Sequence, residues 1–441
     1  MKLTIFQSDK GDCLLLQSKG TKPKRILIDG GMDGSYTRHV APALTQLKKI
    51  DVVYVSHIDE DHISGVLQML DDLVLWRAHK FQKANGNPNH PPPDSTKHPQ
   101  PPEIGGIWHN AFADQVDVNN AKPLASLLAA TAAMLSGARS EALREESEEH
   151  RELATSMKQA LQVSRRIGPE LKIPLNKEFG NKLMMIPNGA AATQLPTLKV
   201  GPMKLFILGP FEDDLEKLKK KWNTWLKSKE GKAAVRAVND ESDDNLRDLG
   251  QNAMPLLTPL INAAKILGKR SDVTTPNLAS LMFLVEEDGR TLLLTGDGHS
   301  SDILKGLNFH GKMSAAGDLH VNVLKVQHHG AIANIDEKFC RAVIADNYIF
   351  CGNGAHENPE TEVIDAIVHS RIGTAAQRSK HAKTGDKFTL WFNSHETASN
   401  SDDDRAQMAK VKARVQTLKA QSNGQMDFKF ITGSSFPPLP I

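Results

Sequence analysis

Four side chains able to bind metal, His57, Asp59, Asp61 and His62, fall within six positions at the end of the apolar run Val52-Val53-Tyr54-Val55. Imidazole with carboxylate is a borderline-hard donor set, suited to Zn, Mn or Fe rather than to a thiolate structural site. Alternate residues of an extended segment face the same way, so His57, Asp59 and Asp61 are expected to converge. His62, next to Asp61, would then point elsewhere and serve a second ion. A second carboxylate of this kind is Asp297, in Thr295-Gly296-Asp297-Gly298. Flanked by glycines at the end of an apolar run, it can approach two cations and bridge them. A polar turn with exposed acids is the bland alternative, but it leaves so many ligand types at strand ends unexplained.

These residues need strands that end beside one another. Val52 to Val55 reads as a buried strand, and Gly65, Val66, Leu67 and Leu70 as a helix leaving it. Leu281 to Val285 and Thr291 to Leu294, joined through Glu287-Asp288-Gly289, read as a hairpin that delivers Asp297. Val321 to Val326 reads as a strand ending in Gln327-His328-His329-Gly330, and Ile349 to Asn353 as another. Upstream, Asp12 to Gln17 and Arg25 to Ile28 read as strands, with Asp29-Gly30-Gly31 a turn after them. Gly30 and Gly31 would let backbone pass close to the metal loop. Asp29 reads either as a carboxylate orienting a ligand histidine or as a plain turn residue. Leu183 to Ile186 and Lys204 to Leu208 also look like strands.

Between these lie segments of different character. Asn85 to Gly106 is Pro-rich and reads as an exposed loop carrying His90 and His98. Ala121 to Gly168 reads as two helices, broken near Gly137, with a charged outer face. Asp214 to Lys229 carries Lys217, Lys219, Lys220, Lys221 and Lys227 beside Trp222 and Trp225. It is either a phosphate-backbone patch with stacking aromatics or a helix with buried tryptophans and solvated lysines. The polar stretch from residue 396 to residue 441 reads as a C-terminal appendage.

The chain of 441 residues is 39% hydrophobic and 24% charged, enough to bury a large core. A net charge of +2 excludes a strong whole-molecule field, so nucleic-acid binding would need local patches. Cys13, Cys340 and Cys351 form no CxxC pair; Cys13 and Cys351 read as small core residues in a reducing compartment. Met1-Lys2 leads straight into a strand-like segment, so no signal peptide is expected, and no apolar run is long enough to span a bilayer. A cytoplasmic protein is expected.

His57-x-Asp59-x-Asp61-His62 with Gly65 resembles the first metal motif of the metallo-β-lactamase fold, and GDCLLLQ…ILIDGG resembles its opening hairpin. The commoner motif has His where this chain has Asp59. The aspartate form is similar to the branch containing the hydrolase domain of the bacterial DNA-uptake competence channel. The resemblance implies an α/β architecture, an αβ/βα sandwich of two mixed sheets flanked by helices, over residues 1–395. Helical insertions would interrupt it at about 111–180 and 212–270. Thr295-Gly296-Asp297 resembles the bridging-aspartate motif, and His328-His329-Gly330 the last metal-histidine motif of that branch. His328 is the preferred ligand of that pair, with His329 orienting it or touching substrate. The family takes a further histidine from a later loop; His109 is the candidate and His79 its competitor. That branch often has His-Pro after an Asn-containing turn. Here His356 stands apart from Pro359, and reads as a phosphate contact, a proton donor to a leaving group, or a surface-loop histidine.

The activity implied is hydrolysis by a metal-bound hydroxide held between two divalent ions, Zn first and Mn as the alternative. Asp61 is both ligand and catalytic candidate. Asp59 adds negative charge, which strengthens cation binding, favours harder ions and leans towards a phosphodiester, either nucleic acid or small nucleotide. A lactone, lactam or thioester hydrolase would use the same ligands, and a metal-stabilised binding module would need no turnover. The helical insertion could shape a substrate mouth or a homodimer interface. No membrane partner is expected.

Overall fold

The computed structural model describes residues 1–110, 141–216, 220, 279–399 and 401–441. Short apolar runs form its strands. In the N-terminal part these are β1 (Lys2–Ile5), β2 (Leu14–Gln17), β3 (Arg25–Ile28), β4 (Lys49–Ile50), β5 (Val52–Tyr54), β6 (Glu103–Ile104) and β7 (Ile107–Trp108). Helix α1 (Glu60–Ala84) leaves β5, and α2 (Glu141–Arg165) packs beside α1. The C-terminal part supplies β8 (Leu198–Val200), β9 (Met203–Gly209), β10 (Met282–Glu287), β11 (Arg290–Leu294), β12 (Leu319–Lys325), β13 (Val343–Phe350), β14 (Phe388–Phe392), β15 (Met426–Phe430) and β16 (Leu439–Pro440). Its helices are α3 (Ser300–Phe309), α4 (Glu337–Ala342), α5 (Thr361–Ile372) and α6 (Asp402–Gln421).

Two mixed sheets face each other, in the strand orders β16-β1-β2-β3-β5-β7 and β15-β14-β13-β12-β11-β10-β9-β8. Each is antiparallel at one end and parallel at the other: β3, β5 and β7 run parallel in the first, and β11 to β15 in the second. The period-two alternation of a strand divides its side chains between two cores. Leu14, Leu16, Phe283, Val285, Leu292 and Leu294 fill the space between the sheets. Leu15, Leu27 and Val53 face outwards onto Ile63, Val66 and Leu70 of α1 and Met157, Ala160 and Val163 of α2. Leu284, Leu293 and Tyr348 meet Ile303 of α3, Ile364 of α5 and Val411 of α6. The architecture is therefore the expected sandwich, helices outside and two sheets within.

The expected hairpin is present: Asp288 and Gly289 both have positive φ, as a two-residue turn between twisted strands requires. Cys13 and Cys351 are fully buried, each in a different core. Three readings change. Leu183 to Ile186 forms no strand, and only Ile186 makes an isolated bridge, to Phe211. Helix α2, read as a solvated insertion, buries an apolar face against α1; of the insertion at about 111–180, residues 111–140 lie outside the described residues, Gly137 among them. The segment read as an appendage belongs to both sheets, since β15 pairs with β14 and β16 with β1. Its polar composition reflects the outer face of α6, whose Met408, Val411, Val415 and Leu418 are buried. Of the Lys-rich stretch, only Asp214 to Glu216 and Lys220 are described, so Lys217, Lys219, Lys221, Trp222, Trp225 and Lys227 lie outside, as does most of the second insertion. No helix among the described residues is long and apolar enough to cross a membrane.

Candidate metal centre

All the ligands expected from the sequence follow the carboxyl end of a strand with a parallel neighbour, the end at which open α/β sheets place their ligands. His57 and Asp59 follow β5, His109 follows β7, Asp297 follows β11, and His328 and His329 follow β12. The expected extended run through Asp61 is shorter than the pattern suggested. Asp59 has extended backbone at the N-cap position of α1, so Asp61 and His62 stand in the first helical turn. Acids there complement the helix dipole, which is why this loop turns into a helix so early. Gly30 and Gly65 make the turn possible. A Cβ on Gly65 would lie 2.1 Å from the Gly30 carbonyl oxygen, and one on Gly30 2.3 Å from the Val66 nitrogen. The close approach anticipated at Gly30 is thus with the start of α1.

Asp297 is the hub. One of its oxygens lies 3.5 Å from His57 Nε2, 3.6 Å from His329 Nε2 and 3.7 Å from His328 Nε2, and the other lies 3.4 Å from His62 Nε2. His57 Nε2 is also 3.3 Å from Asp59, and His329 Nε2 is 3.0 Å from Asp61 and 3.3 Å from His62 Nε2. Two groups have ligand atoms all within 4.8 Å of one another: His57, His62 and Asp297, and Asp12, His62 and His329.

The opposite edges of these rings are tied down. His62 Nδ1–H donates to Asp29 at 3.0 Å, and Asp29 accepts the Ser56 backbone N–H at 2.7 Å and its hydroxyl at 2.8 Å. His329 Nδ1–H donates to the Cys351 carbonyl at 2.6 Å, an acceptor only, which fixes the tautomer. His328 Nδ1–H donates to Asn334 Oδ1 at 2.6 Å. Each Nε2 is left aimed at the cluster, as metal-binding histidines require. Asp29 therefore orients a histidine of the cluster.

The HHG pair is divided between the cluster and its open side. His329 belongs to a ligand group among the described residues, while His328 is the more solvent-open ring and lies 3.7 Å from Asp297. Both histidines have positive φ (44° and 55°), ahead of Gly330 at 93°. Such strain in non-glycine residues persists where the surroundings impose it, commonly at functional sites. It swings the second imidazole, rather than the first, into the cluster.

His109 is fully buried, and neither of its ring nitrogens has a hydrogen-bond partner among the described residues. Burial and the neighbouring His57 push its pKa down to about 4, so it stays neutral. His79 pairs with His90 at 3.1 Å on α1, about 27 Å along the helix from Asp61; His98 pairs with Asp72 at 2.8 Å. His356 lies outside the ligand groups, 3.6 Å from Glu152.

Two buried groups escaped the sequence reading. Lys325 Nζ lies 2.5 Å from Asp12, 3.7 Å from Asp297 and 3.1 Å from the Gly296 carbonyl. Burial opposes its charge, but Asp12 and Asp297 hold its pKa above the usual lysine value. Burial likewise opposes the charge on Asp12, yet Lys325 and His62 bring its pKa down to about 2. A lone lysine within the apolar run Val321 to Val326 was the available signal, since unpaired lysines are almost never buried. Asp12 stood in the quoted GDC element with no role assigned.

Buried acid is in excess. Burial lowers the affinity of His62 and His329 for a proton, but Asp297, Asp61 and Asp12 overcome it. His62 is held well above the usual histidine range and His329 near 9. The same cations hold Asp297 and Asp61 well below the carboxylate range against burial. Meanwhile His57 Nε2, both His109 nitrogens, Asp297 Oδ1 and Asp12 Oδ1 are buried without hydrogen-bond partners among the described residues. Such orphaned atoms are costly unless something fills the space between them. Converging N/O donors, fixed tautomers and surplus negative charge suit one or more divalent cations. Burial and Asp12 hold the Cys351 thiol well above the usual range, and Cys351 belongs to neither ligand group among the described residues.

Part of this site is similar to a known family. A family model described as the Metallo-beta-lactamase superfamily matches residues 9–109, which span Asp12, Asp29, the His57–His62 stretch and His109. Asp297, His328 and His329 lie beyond the match. No curated protein matches the chain.

Proposed function

We propose that this chain is a metal-dependent hydrolase with a dinuclear site, and that its substrate is a phosphodiester. The carrying observation is Asp297, a buried carboxylate within 3.7 Å of four imidazoles that arrive as two pairs, from beyond the ends of β5 and β12. The superfamily match over residues 9–109 supports the hydrolase class. One ion would be held by His57, Asp59 and His109, the other by Asp61, His62 and His329, with Asp297 shared; Zn suits this set best and Mn is the alternative. When bound, a metal pair supplies Lewis acidity and a water nucleophile available at neutral pH.

The protein's own share is placement and charge. Asp29 and the Cys351 carbonyl fix His62 and His329, Asn334 fixes His328, and Lys325 holds Asp12 and one side of Asp297. His328, facing Asp297 from the open side, is placed to touch substrate. Asp59, in the position where the commoner motif has a neutral histidine, adds negative charge and favours harder ions. That substitution and the competence-type HHG element support a phosphodiester over a lactam.

A second reading, a lactone, lactam or thioester hydrolase, would use the same donors, so substrate trials must separate the two. Protein reconstituted with Zn or Mn is expected to cleave bis-p-nitrophenyl phosphate, DNA or a cyclic nucleotide. Asp61→Ala is expected to abolish that cleavage with the fold retained by circular dichroism. If Zn, Mn and Mg all fail to support diester cleavage while a chromogenic lactam or lactone is opened, the substrate class is wrong. Wild-type turnover by Asp61→Ala would remove Asp61 from the site.

A further inference from the structure

One ion-pair cluster beside the metal centre belongs neither to its ligands nor to the supports of its histidines. Lys10 Nζ lies 3.0 Å from Glu152 Oε1, and His356 Nε2 lies 3.6 Å from the same oxygen. The three residues come from three places. Lys10 sits in the β1–β2 loop, Glu152 on α2, and His356 in the loop after β13.

Two of them are anchored on the metal loop and the third on the HHG turn. The Lys10-Gly11 backbone lies on the metal loop, so closely that a Cβ on Gly11 would fall 1.7 Å from the Asp61 carbonyl oxygen. Helix α2 is fixed to the same loop by the Glu60 N–H, which donates to Ser156 Oγ at 3.0 Å. The His356 loop lies on the HHG turn: the Glu360 N–H donates to the Gly330 carbonyl at 3.1 Å, and the Ile332 N–H to Glu360 Oε1 at 2.8 Å. Gln407 of α6 holds this loop from outside through the Glu357 and Pro359 carbonyls. His356 and Glu357 both have positive φ there, so the imidazole is presented by a constrained turn. Glu152 thus spans the gap between the Asp61 side of the centre and the HHG side, and two cationic or protonatable side chains converge on it next to Asp61.

We propose that Lys10 and His356 form the substrate-binding rim of the centre, contacting an anionic phosphate group, and that Glu152 is their internal counter-ion, displaced when that group binds. This rests on the phosphodiester reading above and adds the residues that recognise the anion. Lys10 lies among carboxylates: burial opposes its charge, but Asp61, Glu152 and Glu60 hold its pKa above the usual lysine range, so it is a permanent cation. All three side chains keep solvent access, at 22% for Lys10, 37% for Glu152 and 57% for His356, so a ligand can reach them. A buried structural pair would be closed to solvent, as the Lys325–Asp12 pair is at 2% on each side.

Opposite signs are expected for two substitutions, which a merely structural ion pair would not give. Adenosine 5′-monophosphate, a product-like phosphate monoester, is titrated into metal-reconstituted full-length protein by calorimetry, and the KM for bis-p-nitrophenyl phosphate is measured in parallel. Lys10→Met is expected to weaken nucleotide binding about tenfold, as loss of one charge-assisted contact does. Glu152→Gln is expected to tighten it several-fold by freeing Lys10 and His356, and His356→Ala to weaken it, with the effects carried mainly by KM. Both Lys10→Met and Glu152→Gln leaving binding unchanged, or both weakening it with a matching fall in Tm, would overturn the rim and leave the phosphodiester reading standing if wild type cleaves the diester. Wild-type protein that neither binds the nucleotide nor cleaves any diester would overturn both.

Discussion

His328 and His329 are chemically identical neighbours that the fold sends to different places. Consecutive left-handed residues turn His329 Nε2 to within 3.0 Å of Asp61, while His328 stays at the open side, 3.7 Å from Asp297. His329→Ala is therefore expected to lose close to one equivalent of tightly held metal, and His328→Ala to keep its metal and lose turnover. Metal analysis of the two desalted variants decides; loss from His328→Ala alone would restore the sequence preference. What could be read at this scale was the donor chemistry of His57, Asp59, Asp61, His62 and Asp297, because these residue types are unusual where apolar strands end. Which of two adjacent imidazoles faces inwards depends on φ values, which residue types leave open. The role of Lys325 depends on Asp12, which lies more than three hundred positions away in the chain and close only across the two sheets.

At the scale of elements, the centre exists because parallel strands from both sheets end together and α1 starts immediately beyond β5. Helix α1 can start there because two glycine backbones touch. Gly65 has an ordinary helical φ, so the obstacle to a side chain is purely steric, with the Gly30 carbonyl 2.1 Å from where a Cβ would sit. Gly65→Ala is expected to destabilise the protein by roughly 1–3 kcal/mol or more, the cost of forcing extra volume into packed structure. It should also loosen metal retention, because Asp61 and His62 ride on the displaced turn. Urea denaturation monitored by circular dichroism checks this; a variant with unchanged midpoint and unchanged metal content would contradict the packing. The hairpin, β5, β12 and the C-terminal end of β13 were legible from apolar runs and turn residues. The early start of α1 was not, because an acid-rich segment fits an extended loop and a helical first turn equally well.

Across the whole molecule, the sandwich brings the two halves of the chain together at the ligand groups, with the N-terminal half supplying Asp12, His57 and His62, and the C-terminal half Asp297 and His329. The two sheets were legible as successive strand groups. The place of residues 402–440 was not: their polar composition suggested a solvated tail, whereas β15 extends one sheet, β16 edges the other, and α6 braces the loop that carries His356. Composition reports the exposed face of such a helix more loudly than its four buried side chains. The proposed hydrolysis depends on a pair of cations at Asp297. The most direct test is the metal content of protein purified without chelator and of apoprotein reconstituted with Zn or Mn, measured by plasma mass spectrometry beside Asp297→Ala. The expected result is about two ions per wild-type chain and a clear loss in Asp297→Ala with its secondary structure retained; wild-type protein that stays near zero after reconstitution would contradict it.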